Sequence, residues 1–378
     1  MKLNKILAMF LAGILMISLS APMVAAEETI KIGGISVLTG PASLYGIAVQ
    51  KGIDLYIEQL NEAGGIDGKK VEILWEDDQG DPTSAQQACF KLDENDGGVA
   101  ILGAVLTGAT KAVAEAAEVD GIPVISASAT AYEITTGRPS VFRTCFLDPF
   151  QAVIIARYIK EEGITSAAVL YDNGDEYSTG LYNAFKAECE ALGVTITAAE
   201  SAATADVDFK AQLTNIKATN PQAVFLPYYG APAAYILKQA KEIGLDVKFY
   251  GADGISNVID SISDTSLLTS ITYTDHFTDD ADSELAKNYT KSFEEKYGEK
   301  PTLAFSATAY DAALVLTNAL KTAGTTEYAA VVDAIKNSSV EGVTGNITFD
   351  DHNDPIKSVF FTTFDAEGNR VFLKRMDP

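Results

Sequence analysis

From residue 29 onward, segments of strand length alternate with segments of helical length, and this alternation limits the fold more than any other feature. Strands separated by helices must be joined by crossover connections, so the pattern predicts an α/β fold with parallel sheets. The predicted strands are Ile30–Val37, Val71–Trp75, Val99–Leu102, Pro123–Ser126, Ala167–Tyr171, Val194–Ala198, Ala223–Pro227 and Val247–Gly251. The predicted helices are Tyr45–Ala63, Ser84–Asp93, Thr110–Val119, Gln151–Glu162, Gly180–Leu192, Phe209–Ala218, Pro232–Ile243, Ser283–Tyr297, Phe305–Thr322 and Tyr328–Asn337.

The alternating pattern occurs twice, once from 29 to about 146 and again from about 147 to 275. After 275 the chain returns to helical spacing and ends in a β-rich segment, Ile347–Leu373. No Pro/Ser-rich linker separates the two halves, so short crossing strands are expected to join them. The sequence therefore predicts two doubly wound, parallel-sheet lobes with a cleft between them.

Residues 1–26 have the features of a secretory signal peptide. Lys2 and Lys5 precede a short apolar run, Ile6–Leu19, and the small residues Val24 and Ala26 predict cleavage after position 26. The run is too short for a membrane span, and no cysteine for a lipid anchor lies near the cleavage point. We expect an exported chain of 352 residues, in the periplasm or outside the cell at its surface; a retained N-terminal helix is the alternative.

Composition excludes several classes of partner. The formal net charge of −24 repels phosphate backbones and anionic membranes, so no nucleic-acid partner is expected. The three cysteines, Cys89, Cys145 and Cys189, show no metal-binding or redox spacing. They are interpreted as buried free thiols, with one disulfide among them as the alternative.

Few residues of the chain suit catalysis or metal binding. His276 and His352 are the only histidines, and both adjoin acidic turn residues, which predicts that they are solvated. No GxSxG elbow is present, and no GxGxxG follows a strand. The acidic runs Asp279–Asp282 and Asp350–Asp354 lack the glycine and terminal glutamate of a calcium loop. The sequence therefore predicts a protein that is not an enzyme and has no cofactor and no metal.

Polar or aromatic groups instead follow several predicted strands, where ligands of open α/β sheets bind. The small and hydroxyl residues Ser126–Thr130 follow one strand, and Thr107 follows another at a predicted helix N-terminus, which favours an anion. Tyr45, Tyr177 and Asp253 follow strands in the two halves. Anion donors in one lobe and a carboxylate with tyrosines in the other suit a zwitterionic ligand.

The order of these motifs resembles the leucine/isoleucine/valine-binding type of substrate-binding protein of bacterial ABC importers, in the periplasmic binding protein type I family. The resemblance covers essentially all of the chain after residue 26. The residues that carry it are Gly33–Pro41 with Tyr45 and Gly46, Asn61–Ile66, Asp77–Pro82, Ser126–Thr130, Phe142–Thr144, Tyr177 with Gly180, and Gly251–Gly254.

The resemblance implies a two-lobed clamshell joined by three crossover strands, near 146, 275 and 352. The first lobe would comprise 27–146 and 276–352, and the second 147–275 and 353–378. It implies a monomer that delivers an amino acid, branched-chain or otherwise apolar, to an ABC transporter permease in the membrane.

The resemblance also assigns roles to individual residues. Thr107 and Thr130 would hold the ligand α-carboxylate with hydroxyl and backbone N–H groups. The backbone carbonyl of Ser128, next to Ala129, would accept from the ammonium, and Asp253 would pair with the ammonium from the other lobe. The four aromatic residues of the implied site are Tyr177 and Tyr229, which would close over the ligand, and Tyr45 and Phe305, which would line its side-chain pocket.

Two departures from the family leave the ligand open. A disulfide that joins the loop at Gly80 to the loop at Leu106 in known members is absent here, because neither position is cysteine. Known members also have glutamate where this chain has Asp253, so a water-mediated ammonium contact and a different closed angle are the alternatives. A receptor for an amide, a small carboxylate or an aromatic acid is the first rival interpretation, and a secreted α/β enzyme is the second.

Overall fold

The computed structural model describes residues 29–278 and 283–377, so the predicted signal peptide and the run Asp279–Asp282 lie outside the described residues. One sheet has five parallel strands in the order β2-β1-β3-β4-β5, and we call the part of the molecule built on it the first lobe. Its strands are β1 (Thr29–Ser36), β2 (Lys70–Asp77), β3 (Ile101–Leu102), β4 (Val124–Ser126) and β5 (Val141–Arg143).

The second lobe is built on a seven-stranded sheet in the order β14-β13-β10-β9-β8-β6-β7. Its first five strands along the chain pair in parallel, and the last two pair antiparallel at one edge. The strands are β6 (Ser166–Asp172), β7 (Thr195–Ala202), β8 (Ala223–Leu226), β9 (Lys248–Gly251), β10 (Ile271–Asp275), β13 (Val359–Phe364) and β14 (Arg370–Met376), while β11 (Ser339–Gly342) and β12 (Gly345–Thr348) form a separate hairpin. The predicted α/β class with parallel sheets in two lobes is confirmed.

Helices follow most of the parallel strands, and three more lie between β10 and β11. The helices are α1 (Ser43–Glu62), α2 (Pro82–Phe90), α3 (Thr107–Asp120), α4 (Asp148–Glu161), α5 (Glu176–Leu192), α6 (Lys210–Ala218), α7 (Gly230–Glu242), α8 (Glu284–Tyr297), α9 (Phe305–Ala323) and α10 (Tyr328–Lys336).

The helices after residue 283 return to the first lobe. Helix α9 shares a buried core with α1 and the first sheet, including Ile53, Leu316 and Val49. The two helices approach so closely at Gly52 that a Cβ there would lie 2.0 Å from the carbonyl oxygen of Ser306. The last two strands then complete the second sheet, while the exact lobe boundaries at 146, 275 and 352 stay a prediction.

The structure differs from the sequence-based elements mainly in its short strands. Strands β5 and β10 are not among the predicted strands, because they are only three and five residues long and their apolar pattern is too short to stand out. The helix predicted over Ser84–Asp93 is α2 followed by a π-helical turn, Lys91–Asn95. The helix predicted from Thr110 begins three residues earlier, at Thr107.

Candidate functional site

A small cavity lies between the two lobes, with about 20 Å³ of space, room for about one water molecule. It is formed where loops after the carboxyl ends of β3, β4 and β9 face the first turns of α1, α5 and α9. Eight of the nine predicted site residues line it, and Ala129 does not. The lining residues are Tyr45, Val105, Leu106, Thr107, Ser128, Thr130, Tyr177, Tyr229, Asp253, Gly254 and Phe305.

Helix α3 begins at one wall of the cavity. Thr107 is its first residue, and the N-cap residue Leu106 makes no side-chain hydrogen bond to the helix. The N–H groups of a first turn have no partner within the helix, and they carry the positive end of the helix dipole. This end of α3 therefore offers backbone donors beside a threonine hydroxyl, which together suit a carboxylate.

The residues after β4 hold this wall in place. The Ser126 hydroxyl donates to the Ala104 carbonyl at 3.0 Å, and the Ser128 hydroxyl donates to the Val105 carbonyl at 2.9 Å. Both serine hydroxyls thus fix the loop that leads into α3, instead of pointing at a ligand. Small residues were predicted here as a ligand platform, and in the structure they let the two loops pack closely.

Ala129 and Thr130 are placed differently from their neighbours. The Ala129 carbonyl accepts from Nη1 of Arg143 at 2.9 Å, so this residue supports the loop from outside the cavity. Thr130 lines the cavity, and its backbone carbonyl accepts from the Asp148 N–H at 2.8 Å, which ties this loop to the start of α4.

Asp253 is the centre of a buried hydrogen-bonded network in the second lobe. Its Oδ1 accepts from the Tyr177 hydroxyl at 2.8 Å, from Nε2 of Gln151 at 3.0 Å and from the Gly254 N–H at 3.0 Å. Its Oδ2 lies 2.9 Å from Nε2 of His276. The residue is 2% exposed. These partners fix the position of a carboxylate that borders the cavity.

The prediction that His276 is solvated is wrong. The residue is 1% exposed, and its ring stacks on Phe146 with 3.6 Å between ring centroids. Strand β10, which the sequence pattern missed, carries it into the interior directly after Asp275. Burial lowers the pKa of His276, while the bond to Asp253 opposes this shift. His276 therefore acts as a neutral hydrogen-bond partner of Asp253; His352 is exposed, as predicted.

Gln151 and Asp148 are site-associated residues that the sequence interpretation did not identify. Nε2 of Gln151 donates to Oδ1 of Asp148 at 2.8 Å as well as to Asp253, and Oε1 accepts from the Thr274 hydroxyl at 2.8 Å. Burial, and next the charge of Asp253, raises the pKa of Asp148 well above its usual value. The available signal was the Asp-Pro-Phe-Gln segment at the start of α4, where an acid and an amide three residues apart share a face.

Aromatic rings form the remaining walls of the cavity. Tyr177 and Tyr229 stack with centroids 5.0 Å apart, and Tyr45 packs edge-on against Tyr229 at 5.5 Å. Tyr45 also contacts Phe305 with 5.9 Å between centroids. Burial raises the pKa of Tyr177 and of Tyr229 well above the usual value, and so both are neutral phenols. These walls favour an apolar group.

The loops that a disulfide joins in known family members are in contact here without one. A Cβ at Gly80 would lie 3.0 Å from Cδ1 of Leu106. The interpretation of the three cysteines as buried free thiols is confirmed, since Cys89, Cys145 and Cys189 are all unpaired and buried. Packing of Leu106 against the Gly80 loop thus positions the entry to α3.

Asp78 in the same loop should make stability depend on pH. It is 0% exposed, and its Oδ2 has no hydrogen-bond partner among the described residues. Burial raises its pKa to about 6. The folded state then binds more protons than the unfolded state between pH about 4 and about 6, so this group's contribution to stability falls as pH rises through that window. About two pH units at about 1.4 kcal/mol each give a cost of about 3 kcal/mol at pH 7.

Asp78→Asn is therefore expected to raise the free energy of unfolding at pH 7 by up to about 3 kcal/mol, with little effect at pH 4. Urea denaturation at the two pH values measures the difference. Asp81→Asn is the matched control, because Asp81 is an exposed helix cap in the same loop whose carboxylate accepts from the Ser84 N–H at 2.8 Å. An equal gain at both pH values would contradict the assignment.

Two further features bear on the class of protein. Within 29–278 and 283–377, no three His, Cys, Asp or Glu side chains come together as a metal site. Over the same residues, no helix has the length and apolar character needed to cross a membrane.

Two α/β lobes that enclose a small cavity, with polar groups from both lobes around it, define a two-lobed ligand-binding protein. The comparison with known families agrees: residues 29–369 match the family described as periplasmic binding protein, and the chain belongs to that family.

Curated relatives and solved structures extend this result. The leucine-, isoleucine-, valine-, threonine- and alanine-binding protein of Pseudomonas aeruginosa is 31% identical over 362 residues, which cover 95% of this chain and 94% of that protein. The leucine-binding protein LivK of Thermotoga maritima superposes with a TM-score of 0.87 at 29% identity, covering 92% of this chain and 99% of the other. LivJ of Streptococcus pneumoniae in complex with isoleucine gives a TM-score of 0.85 at 31% identity, covering 92% and 100%.

Proposed function

We propose that this protein is an exported receptor that captures a small amino acid, branched-chain or otherwise apolar, between its lobes and delivers it to an ABC permease. The observation that carries the proposal is the division of charge across the cavity. The N-terminus of α3 with Thr107 lies on one wall, and the Asp253 carboxylate lies on the other. An α-amino acid carries the two complementary charges on one carbon.

The cavity supports separate contacts for the two charged groups of such a ligand. The α-carboxylate would accept hydrogen bonds from the Thr107 hydroxyl and the first-turn N–H groups of α3. The ammonium would donate to the Ser128 carbonyl and to Asp253. Thr130, which also lines the cavity, would donate its hydroxyl to the ligand α-carboxylate.

The rest of the lining suits an apolar ligand side chain. Tyr45, Tyr229, Phe305 and Leu106 present aromatic or aliphatic surface, and Asp253 is the one charged residue among the described lining residues. The space open in this arrangement of the lobes is about 20 Å³, room for about one water molecule, so the lobes must part before an amino acid can enter. The relatives named for leucine, isoleucine and valine bind ligands of this kind by name.

The transport role and the location follow from the same proposal. A receptor of this class performs no reaction and needs no cofactor; it closes on its ligand and then presents it to a membrane permease. The predicted signal peptide would export the chain to the periplasm or the cell surface, where we propose that it acts as a monomer. N-terminal sequencing of the exported form tests the cleavage after Ala26.

Isothermal titration calorimetry against a panel of ligands tests the function. The protein is first unfolded and refolded to remove bound molecules, which mass spectrometry then identifies. We expect heat with leucine, isoleucine or valine and much weaker binding of lysine and glutamate, because a charged side chain would lie against the aromatic walls. Heat with benzoate or an aliphatic amide, but with no α-amino acid, would establish the rival receptor class. Chemical turnover of a bound ligand would establish an enzyme.

A further inference from the structure

The hydroxyl group of Tyr45 joins the two lobes. Tyr45 lies on α1 of the first lobe and is 3% exposed. Its Oη lies 2.6 Å from the Gly254 carbonyl oxygen and 2.9 Å from the Gly230 nitrogen, and it also bonds the amide of Asn257. All three partners belong to the second lobe. A single hydroxyl thus has three hydrogen-bonding partners across the cleft.

These three contacts use the single proton of the hydroxyl. The hydroxyl accepts from the Gly230 N–H, and its proton lies between two acceptors, the Gly254 carbonyl and Oδ1 of Asn257. No proton is left to donate to a ligand. The ring of Tyr45 can therefore line the cavity while its hydroxyl has a separate task.

Two glycines make the acceptor site in the second lobe possible. A Cβ at Gly230 would lie 2.0 Å from Oδ1 of Asn257, and a Cβ at Gly254 would lie 2.6 Å from the Tyr177 hydroxyl. Any larger residue at either position would separate the groups that surround the Tyr45 oxygen. Gly230, Gly254 and Asn257 pack closely together within the second lobe. We call these three residues the latch site.

We propose that the Tyr45 hydroxyl and the latch site form a closure latch, which stabilises the closed clamshell independently of the ligand side chain. The ring is held in the first lobe against Phe305, and the hydroxyl enters the latch site only when the lobes meet. Opening the lobes returns all these groups to water, so the gain on closing is that of a few net hydrogen bonds. The latch would therefore adjust the open–closed balance without selecting among ligands.

Tyr45→Phe tests the latch, because it keeps the ring and removes the hydroxyl. Tyr56→Phe is the matched control: Tyr56 lies on the same helix, and its hydroxyl bonds the Thr317 hydroxyl at 2.9 Å within the first lobe. Single-molecule energy transfer between dyes at Val119→Cys and Val207→Cys, two exposed positions in different lobes, measures the closed fraction. Calorimetry and stopped-flow dissociation with leucine, isoleucine, valine and alanine measure binding.

We expect Tyr45→Phe to lower the closed fraction and to weaken all four amino acids by a common factor of about 10, mainly through faster dissociation. Tyr56→Phe should leave both quantities unchanged. Adding Asn257→Ala to Tyr45→Phe should weaken binding little further, because Asn257 acts through the same oxygen. Lys111→Ala, which removes an exposed ion pair to Glu176 across the cleft, should have a much smaller effect.

Other results would overturn the latch. Different losses for leucine and alanine would show that the hydroxyl selects the ligand side chain. An unchanged closed fraction, or additive losses for Tyr45→Phe and Asn257→Ala, would show that the contacts do not control closure. The binding measurements rest on the proposed function, whereas the energy-transfer measurement on ligand-free protein does not. Failure of all amino acids to bind would thus refute the function and still leave the latch tested.

Discussion

Asp253→Asn is expected to weaken the binding of leucine by about 2–5 kcal/mol, the range for breaking a buried charge pair. The substitution removes the charge that is proposed to face the ligand ammonium, while it keeps the shape of the side chain. Its oxygen can still accept from Tyr177, Gln151 and Gly254, and its NH₂ group can donate to Nε2 of His276. The ring proton then moves to Nδ1, which is buried and has no partner among the described residues, so a loss of about 1–3 kcal/mol in stability is expected beside the loss in binding.

Calorimetry with two ligands separates charge recognition from general damage to the site. Leucine carries the ammonium, and 4-methylpentanoate has the same carbon skeleton without it, so only leucine should lose affinity through the variant. Asp172→Asn is the matched control, because Asp172 is a buried, hydrogen-bonded acid of the same lobe outside the cavity lining. Unchanged leucine affinity in Asp253→Asn would remove this residue from the ammonium site.

Local sequence signals were sufficient to predict most helices and their ends. Asp81 caps α2 by accepting from the Ser84 N–H at 2.8 Å, with Pro82 as the first helical residue. Gly193 ends α5 with φ of 67°, the left-handed conformation that glycine adopts without strain. These interactions involve residues at most four apart, so the sequence pattern contains them.

Strand β10 of the second sheet could not be predicted from local sequence signals. Strand β10 is buried between β9 and β13, yet its residues alternate apolar and hydroxyl side chains over only five positions. Its membership in the sheet depends on pairing with Val359–Phe364, which lies far along the chain. Distant pairing of this kind is settled by tertiary packing and leaves little trace in a short segment.

Some residues of the candidate site could likewise be predicted from the sequence, whereas the contacts between them could not. Residues at strand and helix ends, such as Thr107 and Asp253, could be found because the fold class places such ends around a cleft. The contacts that fix Asp253 could not, since Gln151 lies 102 positions away and His276 lies in a strand that the pattern missed. The sequence shows which groups reach the cleft, and only the folded chain shows which of them are already hydrogen-bonded to each other.

Substitution of Thr107, in the proposed carboxylate subsite at the start of α3, is expected to give the second large effect on binding. Thr107→Val keeps the shape of the side chain and removes its hydroxyl, so we expect leucine binding to fall by about 1.5–3 kcal/mol, the scale of a hydrogen bond to a charged group. Leucinamide, which lacks the carboxylate, should lose much less. Calorimetry with both ligands measures the difference, and thermal unfolding should show little change, because this hydroxyl borders the cavity and not the core.

Thr110→Val is the matched control for this experiment, because it lies one turn further along α3 and its hydroxyl donates to the Leu106 carbonyl at 2.9 Å. Loss of that bond should affect stability and leave the preference for leucine over leucinamide unchanged. In Thr107→Val the preference itself should shrink, since the donor lost belongs to the proposed carboxylate subsite. If acid and amide lose affinity equally, or if Thr110→Val reduces the preference as much, the carboxylate is bound elsewhere. The open N–H groups of α3 would then serve another purpose.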